Sequence, residues 1–253
     1  MKIGIIGAGN MGGAIARGLA ADLTVCSPNN HGELDALKAD YPDINVDTDN
    51  EKAILGTDII ILAVKPWLGY DVMDPLSPKI QWEKQMLVSV AAGITLLQLE
   101  DLSLCTPPAV FRVMPTAIAV RKSMTFICSI GASDEQIKSV SDIFSRLGSV
   151  MVIDENQMTA CMALASCGIA YAMRYVRAAS EGGVELGVKA DLAKDIVLQT
   201  MQGAAALLQA TGAHPEAEID KVTTPGGITI KGLNAMEAHG FTTSVIEGLK
   251  ASK

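Results

Sequence analysis

Lys2-Ile3-Gly4-Ile5-Ile6-Gly7-Ala8-Gly9-Asn10-Met11-Gly12-Gly13-Ala14-Ile15-Ala16-Arg17-Gly18-Leu19 is the stretch that decides the fold. Residues 2–6 read as an apolar strand and residues 10–21 as a helix of small residues. Between them Gly7, Gly9 and Gly12 spell G-x-G-x-x-G. The first glycine permits a tight turn, the second lets backbone approach a pyrophosphate, and the third lets helix and strand pack closely. The helix start then offers free N–H groups and the positive end of a dipole to phosphate. Asn10 and Met11 belong to the same turn. The context of strand, glycine turn and helix is what the dinucleotide-binding fingerprint requires.

The alternation continues outward. Residues 23–27 form a second strand, followed by a polar turn at Pro28-Asn29-Asn30 and a helix to about residue 40. Residues 58–64 are almost wholly β-branched or Leu, as in a strand covered on both faces. Further strands are expected at 86–91, 109–114, 123–130 and 149–153. Two capping boxes, Thr95 with Gln98 and Ser133 with Gln136, mark helix starts between them. The pattern is α/β, a doubly wound parallel (Rossmann) sheet. Beyond residue 154 strand signals stop, and 155–166, 168–186, 191–211, 227–239 and 243–250 read as helices. Residues 1–154 are therefore a dinucleotide-binding domain and 155–253 an all-helical domain. The 191–211 helix is apolar around most of its circumference, and a small helical domain has little interior to hide it. A second subunit covering it is the economical expectation.

Composition narrows the function. The chain has 253 residues, 49% hydrophobic and 19% charged, which excludes a disordered chain. A net charge of −8 argues against nucleic acid as the main partner but allows a small anion in a local pocket. No run approaches the ~20 apolar residues of a membrane span. The N-terminus imitates a signal peptide, but its glycines and Arg17 break the apolar core such a peptide needs. Cys26, Cys105, Cys128, Cys161 and Cys167 are odd in number with no C-x-x-C pair, so buried thiols in a reducing cytoplasm are expected. His31, His214 and His239 are too dispersed for a local metal motif, and no metal is expected. Neither G-x-S-x-G nor H-E-x-x-H occurs.

The cofactor side of the reading is specific. NAD-selective folds place Asp or Glu ~20 residues after the fingerprint, at the end of the second strand. Here Cys26-Ser27-Pro28-Asn29-Asn30 has no carboxylate, so NADPH is favoured, with NADH also accepted. Ser27 and Asn29 are the candidate contacts to the 2′-phosphate; the same residues would also serve a plain turn. Ala63-Val64-Lys65-Pro66 ends the most buried strand at the edge where open α/β sheets bind ligands. By itself Lys65 there reads as a solvated lysine. Thr223-Thr224-Pro225-Gly226-Gly227 opens a helix as a second anion-receptive start, or as a plain capped turn. Cys167 has no nearby basic residue to activate it as a nucleophile.

Taken in order, IGAGNMG (6–12), LAVKP (62–66), SVAAGI (89–94), RVMP (112–115), ALASCGIAY (163–171), EGGVELG (181–187) and TPGGITIKGLNAME (224–237) resemble the pyrroline-5-carboxylate reductase family almost end to end. The chain departs from it in three blocks. RVMPNTP reads Arg112-Val113-Met114-Pro115-Thr116-Ala117, SGSGP reads Ala165-Ser166-Cys167-Gly168-Ile169, and GGTT reads Gly226-Gly227-Ile228-Thr229. These departures concern the substrate pocket rather than the cofactor turn.

The resemblance implies hydride transfer from NAD(P)H to the imine carbon of L-1-pyrroline-5-carboxylate, giving L-proline. It implies cofactor contacts at Ala63, Val64, Lys65, Pro66, Ala91, Ala92 and Gly93. Substrate contacts are implied at Ser166, Glu181, Gly226 and Gly227, with Thr229 at the ring nitrogen. It also implies a homodimer through the helical domain, assembled in some members into decamers. Two other readings stand beside it. A 3-hydroxyacid dehydrogenase of the 6-phosphogluconate type needs a catalytic lysine in the second domain, and Lys189 and Lys194 lie outside its motif. A non-catalytic dinucleotide sensor would fit the altered pocket blocks.

Overall fold

The computed structural model describes residues 1–20, 23–103, 108–118 and 121–252. Cys105 and the end of the helix expected to reach residue 21 lie outside them. Two compact units are present, Met1–Cys161 and Met162–Lys253, so the division falls seven residues beyond the 154/155 boundary expected from the loss of strand signals. A capping box in which Asp154 pairs with Gln157 begins the helical run while the chain still belongs to the first unit.

The first unit is built on one eight-stranded sheet in the order β3-β2-β1-β4-β5-β6-β7-β8. Its strands are β1 (Ile3–Ile6), β2 (Leu23–Cys26), β3 (Asn45–Asp47), β4 (Ile59–Leu62), β5 (Met86–Ser89), β6 (Val110–Met114), β7 (Ser123–Ile130) and β8 (Gly148–Val152). Helices α1 (Asn10–Leu19), α2 (His31–Asp40), α3 (Gly69–Met73), α4 (Leu96–Glu100) and α5 (Asp134–Ser145) lie between them. Both expected capping boxes are formed, at Thr95 and at Ser133.

Strands β1 to β6 are mutually parallel and β7 pairs parallel with β8, so the sheet is the expected doubly wound parallel one with a single antiparallel step between β6 and β7. The reason lies in the connection. Only 115–122 separate the two strands, and a parallel crossover needs about a dozen residues or more. Both faces of the central strands are covered: Ile5, Ile61, Val88, Phe111 and Ile127 on one, Ile60, Leu62, Leu87 and Val110 on the other, all fully buried. At ~1.5–3 kcal/mol for each buried side chain, this near-continuous apolar block holds the parallel centre together.

The strand order reverses between β1 and β4. In open α/β sheets ligands bind at such a point, beyond the carboxyl ends of the strands. The turns after β1 and β4 are Gly7–Gly12 and Ala63–Pro66.

The second unit continues from α6 (Met158–Met162) through a π-helical turn, Ala163–Cys167, into α7 (Gly168–Glu185) and α8 (Ala190–Thr211). Then come α9 (Pro215–Lys221), α10 (Ile228–Ala238) and α11 (Phe241–Lys250). Among its described residues only Ala163, Ala193 and Glu218 are buried. No helix of the described residues is long and apolar enough to cross a membrane.

Candidate active site

The three fingerprint glycines meet three different constraints. Gly7 has φ +102°, and a Cβ there would lie 2.8 Å from the Ala63 carbonyl oxygen. Its N–H donates to the Cys26 carbonyl at 2.8 Å, tying the turn to β2. A Cβ on Gly12 would lie 1.9 Å from the Gly7 carbonyl oxygen, so only glycine lets α1 start this close to the turn. Gly9 has nothing within 4 Å of such a Cβ. It is the extended N-cap of α1 and carries no side-chain cap. The space in front of Gly9 and the uncapped start of α1 fit a pyrophosphate.

Beside this turn the end of β2 is drawn in by side chains and backbone. Asn30 Nδ2 donates to the Ala8 carbonyl at 2.5 Å, and the Ser27 N–H donates to the Asp47 carbonyl at 3.1 Å. Ser27 is buried and Asn29 is exposed. A cavity of about 450 Å³ opens here, bounded by Gly9, Asn10, Arg17, Asn30, Glu33 and Arg121. Arg17 Nη1 donates to Glu33 Oε1 at 2.5 Å, and Asp40 stands 3.9 Å from Arg17 Nε. The hydrogen bond to Glu33 raises the Arg17 pKa above its ordinary value. Arg121, at φ +52°, makes no side-chain hydrogen bond or ion pair among the described residues. Asn50 Oδ1 is buried and unpartnered among them. Burial, then the charges of Asp47 and Asp49, push the Cys26 thiol up to about 12.

Arg17, Glu33 and Arg121 did not stand out in the sequence as residues of this site. The segment 26–30 contains neither acid nor arginine, yet packing brings both charges to its flank. The Arg17–Glu33 pair joins neighbouring helices, and a polar residue at α1 position 17 opposite an acid in α2 was its only sequence trace.

Along the sheet edge, the Ala63 N–H donates to the Ile6 carbonyl at 2.8 Å, placing Ala63 and Val64 beside the glycine turn. Lys65 is exposed and its ammonium lies 6.0 Å from the centre of the Trp67 ring. Pro66 begins a short 3-10 turn. Ala91 is buried with its N–H on Ser89 Oγ at 3.3 Å, while Ala92 and Gly93 are exposed and Gly93 takes φ +90°. Cys128 is buried and its thiol is pushed up to about 11, chiefly by burial. Cys161 and Cys167 are only partly buried, which corrects the expectation of buried thiols throughout.

In the second unit Gly226, Gly227 and Thr229 come together within one turn. Gly226 has φ +70° with open space where a Cβ would be. Gly227 is the uncapped N-cap of α10 and donates its N–H to the Thr224 carbonyl at 3.0 Å. Thr229 is exposed in the first turn of α10, and its hydroxyl has no partner among the described residues. Ser166 is exposed in the π-helical turn, a deviation frequent at functional sites. Glu181 forms an i, i+4 pair with Arg177 at 2.6 Å on the exposed face of α7. Lys189 is the N-cap of α8 and Lys194 lies 3.8 Å from Asp195, so neither stands in a catalytic constellation. No group of His, Cys, Asp or Glu among the described residues could hold a metal ion.

A Rossmann sheet with an open fingerprint turn, followed by a helical unit with its own glycine-opened helix, defines a two-domain dinucleotide-dependent oxidoreductase. Family models agree: residues 2–93 match "NADP oxidoreductase coenzyme F420-dependent" and residues 155–253 match "Pyrroline-5-carboxylate reductase dimerisation". Pyrroline-5-carboxylate reductase of Methanosarcina acetivorans is 34% identical over 100% of this chain and 97% of its own. Reductase 1 of Dictyostelium discoideum is 36% identical over 99% of this chain, which spans only 48% of that longer protein. Among solved structures, the Coxiella burnetii reductase superposes with a TM-score of 0.91 at 27% identity, covering 99% of this chain and 95% of its own. The Plasmodium falciparum enzyme, solved with NADP bound, gives 0.84 at 27%, covering 100% and 95%. The chain belongs to the pyrroline-5-carboxylate reductase family.

Proposed function

We propose that the chain reduces L-1-pyrroline-5-carboxylate to L-proline, with NADPH preferred and NADH accepted. The observation that carries this reading is the likeness to reductases of that name over the whole chain, fingerprint turn and glycine-opened helix alike. The 6-phosphogluconate-type alternative has no lysine placed for it, and a sensor has no support among the relatives.

The reaction asks little acid–base machinery of the protein, because a protonated cyclic imine is already electrophilic. When bound, the reduced nicotinamide supplies the hydride that forms the new C–H bond at the imine carbon. Gly7, Gly9, Asn10, Met11 and Gly12 cradle the pyrophosphate, and Ser27 and Asn29 face the 2′-phosphate. Ala63, Val64, Lys65, Pro66, Ala91, Ala92 and Gly93 line the strand ends along which the dinucleotide lies. The Gly226–Gly227 turn at the uncapped start of α10 receives the substrate carboxylate, the Gly227 N–H holding the turn closed on Thr224, with Ser166 and Glu181 completing the substrate contacts. The Thr229 hydroxyl meets the ring nitrogen: hydride addition to the protonated imine leaves a neutral secondary amine there, which then takes up a proton from water. The first 154 residues serve as the cofactor domain and 155–253 as the substrate and dimerisation domain.

The helical unit pairs with that of a second copy, and such dimers assemble further into decamers. The cytoplasm is the compartment that suits the reduced thiols and the cofactor. Oxidation of NADPH on adding pyrroline-5-carboxylate, compared with NADH, tests the reading. A purified protein that binds NADPH but turns over no pyrroline-5-carboxylate would remove it.

A further inference from the structure

Glu155 belongs to none of the groups assigned above, yet it joins segments far apart in sequence. Its Oε1 accepts the Leu96 N–H at 2.8 Å and a hydrogen bond from Arg112 Nη1 at 3.1 Å. Leu96 is the first residue of α4, immediately after the loop 91–94 and the Thr95 cap. Arg112 lies in β6 with its side chain only 11% exposed, against 32% for Glu155. The strand register runs Leu62, Ser89, Arg112, Cys128 across neighbouring strands. Arg112 therefore stands at the height where β4 and β5 end, the edge at which the dinucleotide is read to lie.

The position of the carboxylate is itself determined. Glu155 follows Asp154, whose capping box with Gln157 fixes the backbone turn. Arg112 Nε is buried without a hydrogen-bond partner, so among the described residues Glu155 is the one anion paired with that guanidinium. A partly buried cation left unpaired is costly, which makes the Glu155 anchor hard to release once formed.

We infer that Glu155 is a positioning residue for hydride transfer: one carboxylate, held by Arg112, grips the start of α4 and so sets the loop 91–94 against the nicotinamide. The inference rests on the function proposed above. It separates two quantities that a generally structural residue would move together. The pyrophosphate turn at Gly7–Gly12 and the Ser27–Asn30 loop make no contact with Glu155, so most of the NADPH affinity is retained when the loop 91–94 shifts. The placement of the ring over the imine carbon is not, and a misplacement of ~1 Å can cost on the order of 10²-fold in rate.

The test compares the whole protein with Glu155→Ala and Glu155→Gln. In Glu155→Ala both hydrogen bonds are lost. The glutamine amide oxygen still accepts the Leu96 N–H but gives up the charge pair, so this variant is the conservative rescue. The expected result is a fall in kcat of about 10-fold to 100-fold for Ala and a smaller one for Gln. NADPH affinity, read by nicotinamide fluorescence, should stay near the wild-type value in both. The isotope effect on kcat with NADPH deuterated at the transferred position should grow, as hydride transfer becomes limiting. Hydrogen exchange at the Leu96 amide gives a readout independent of activity: protection lost in Ala and kept in Gln. Wild-type kcat in both variants, or kcat and NADPH affinity falling in step, overturns the inference. If Glu155→Ala does not fold, the kcat and affinity of Glu155→Gln decide it. A wild type that binds NADPH without turnover removes the proposed function instead, and unchanged Leu96 exchange in Ala then removes the inference separately.

Discussion

At the scale of single residues the fingerprint glycines are not interchangeable. A side chain on Gly9 meets only open space, so Gly9→Val should keep its melting temperature while losing NADPH binding. A side chain on Gly12 would sit inside contact distance of the Gly7 carbonyl, so Gly12→Ala should destabilise the protein before binding is considered. Thermal melts beside fluorescence titrations separate the two, and a stable Gly9→Val with normal affinity would end the pyrophosphate assignment. Thr229 is the corresponding residue in the helical unit. Its hydroxyl in the first turn of α10, without a partner among the described residues, predicts that Thr229→Ala lowers kcat by at most the ~10²–10⁴ of a positioned proton-transfer group, with Thr229→Ser retaining much of the rate. Steady-state kinetics with pyrroline-5-carboxylate decide this, and unaltered constants in the Ala variant would leave Thr229 as a packing residue.

At the scale of elements, the end of β2 collects charges from β3, α1 and α2. The Ser27 N–H is tied to the Asp47 carbonyl, and the charges of Asp47 and Asp49 act on neighbouring Cys26, so Ser27→Asp would add a carboxylate to an already acidic strand end, against a 2′-phosphate bound there. NADPH affinity should fall by roughly tenfold or more, about 1.4 kcal/mol, with NADH much less affected. Equal losses for both cofactors would show that this loop does not read the ribose. The same acids, after burial, hold the Cys26 thiol protonated. Its pKa is raised on folding, so the stabilisation is complete below the ordinary thiol value of 9.0 and is lost as pH rises through about 12. Alkylation in the native state should accordingly reach Cys161 and Cys167 and spare Cys26 and Cys128, as peptide mapping would show. The parts legible in the sequence were those whose requirements are local. The glycine turn, the apolar block of β4 and the Thr95 and Ser133 capping boxes each declare themselves within a few residues. β3 is three residues long with one apolar side chain, and α9 reads Pro-Glu-Ala-Glu-Ile-Asp-Lys without an apolar period, so neither carried a signal. The Arg17–Glu33 pair and the Glu155 anchor form only when distant segments pack.

At the scale of the whole molecule the two units differ in how they are held. The sheet unit closes a core of its own around Ile5, Ile61, Val88 and Phe111. Among its described residues the helical unit buries three and leaves Leu192, Ile196, Leu198 and Leu207 of α8 exposed, in keeping with a helix apolar around its circumference. A groove of about 330 Å³ between α7 and α8 is lined by Tyr175, Val197, Thr200, Met201 and Ala204. Apolar surface gains ~25 cal/mol for each Å² removed from water, so a face of this kind favours association over exposure. The reductase dimerisation model covers this whole segment, which supports a second copy of the chain as its cover. Sedimentation should therefore show a dimer or a larger closed assembly at working concentration. Ala205 is exposed on α8, and Ala205→Glu would place a charge in that interface with no partner to meet it. The variant should run as monomer or aggregate and lose turnover, while its sheet unit still binds NADPH. A wild type that sediments as a fully active monomer would show that the α8 face is covered in some way other than by another copy.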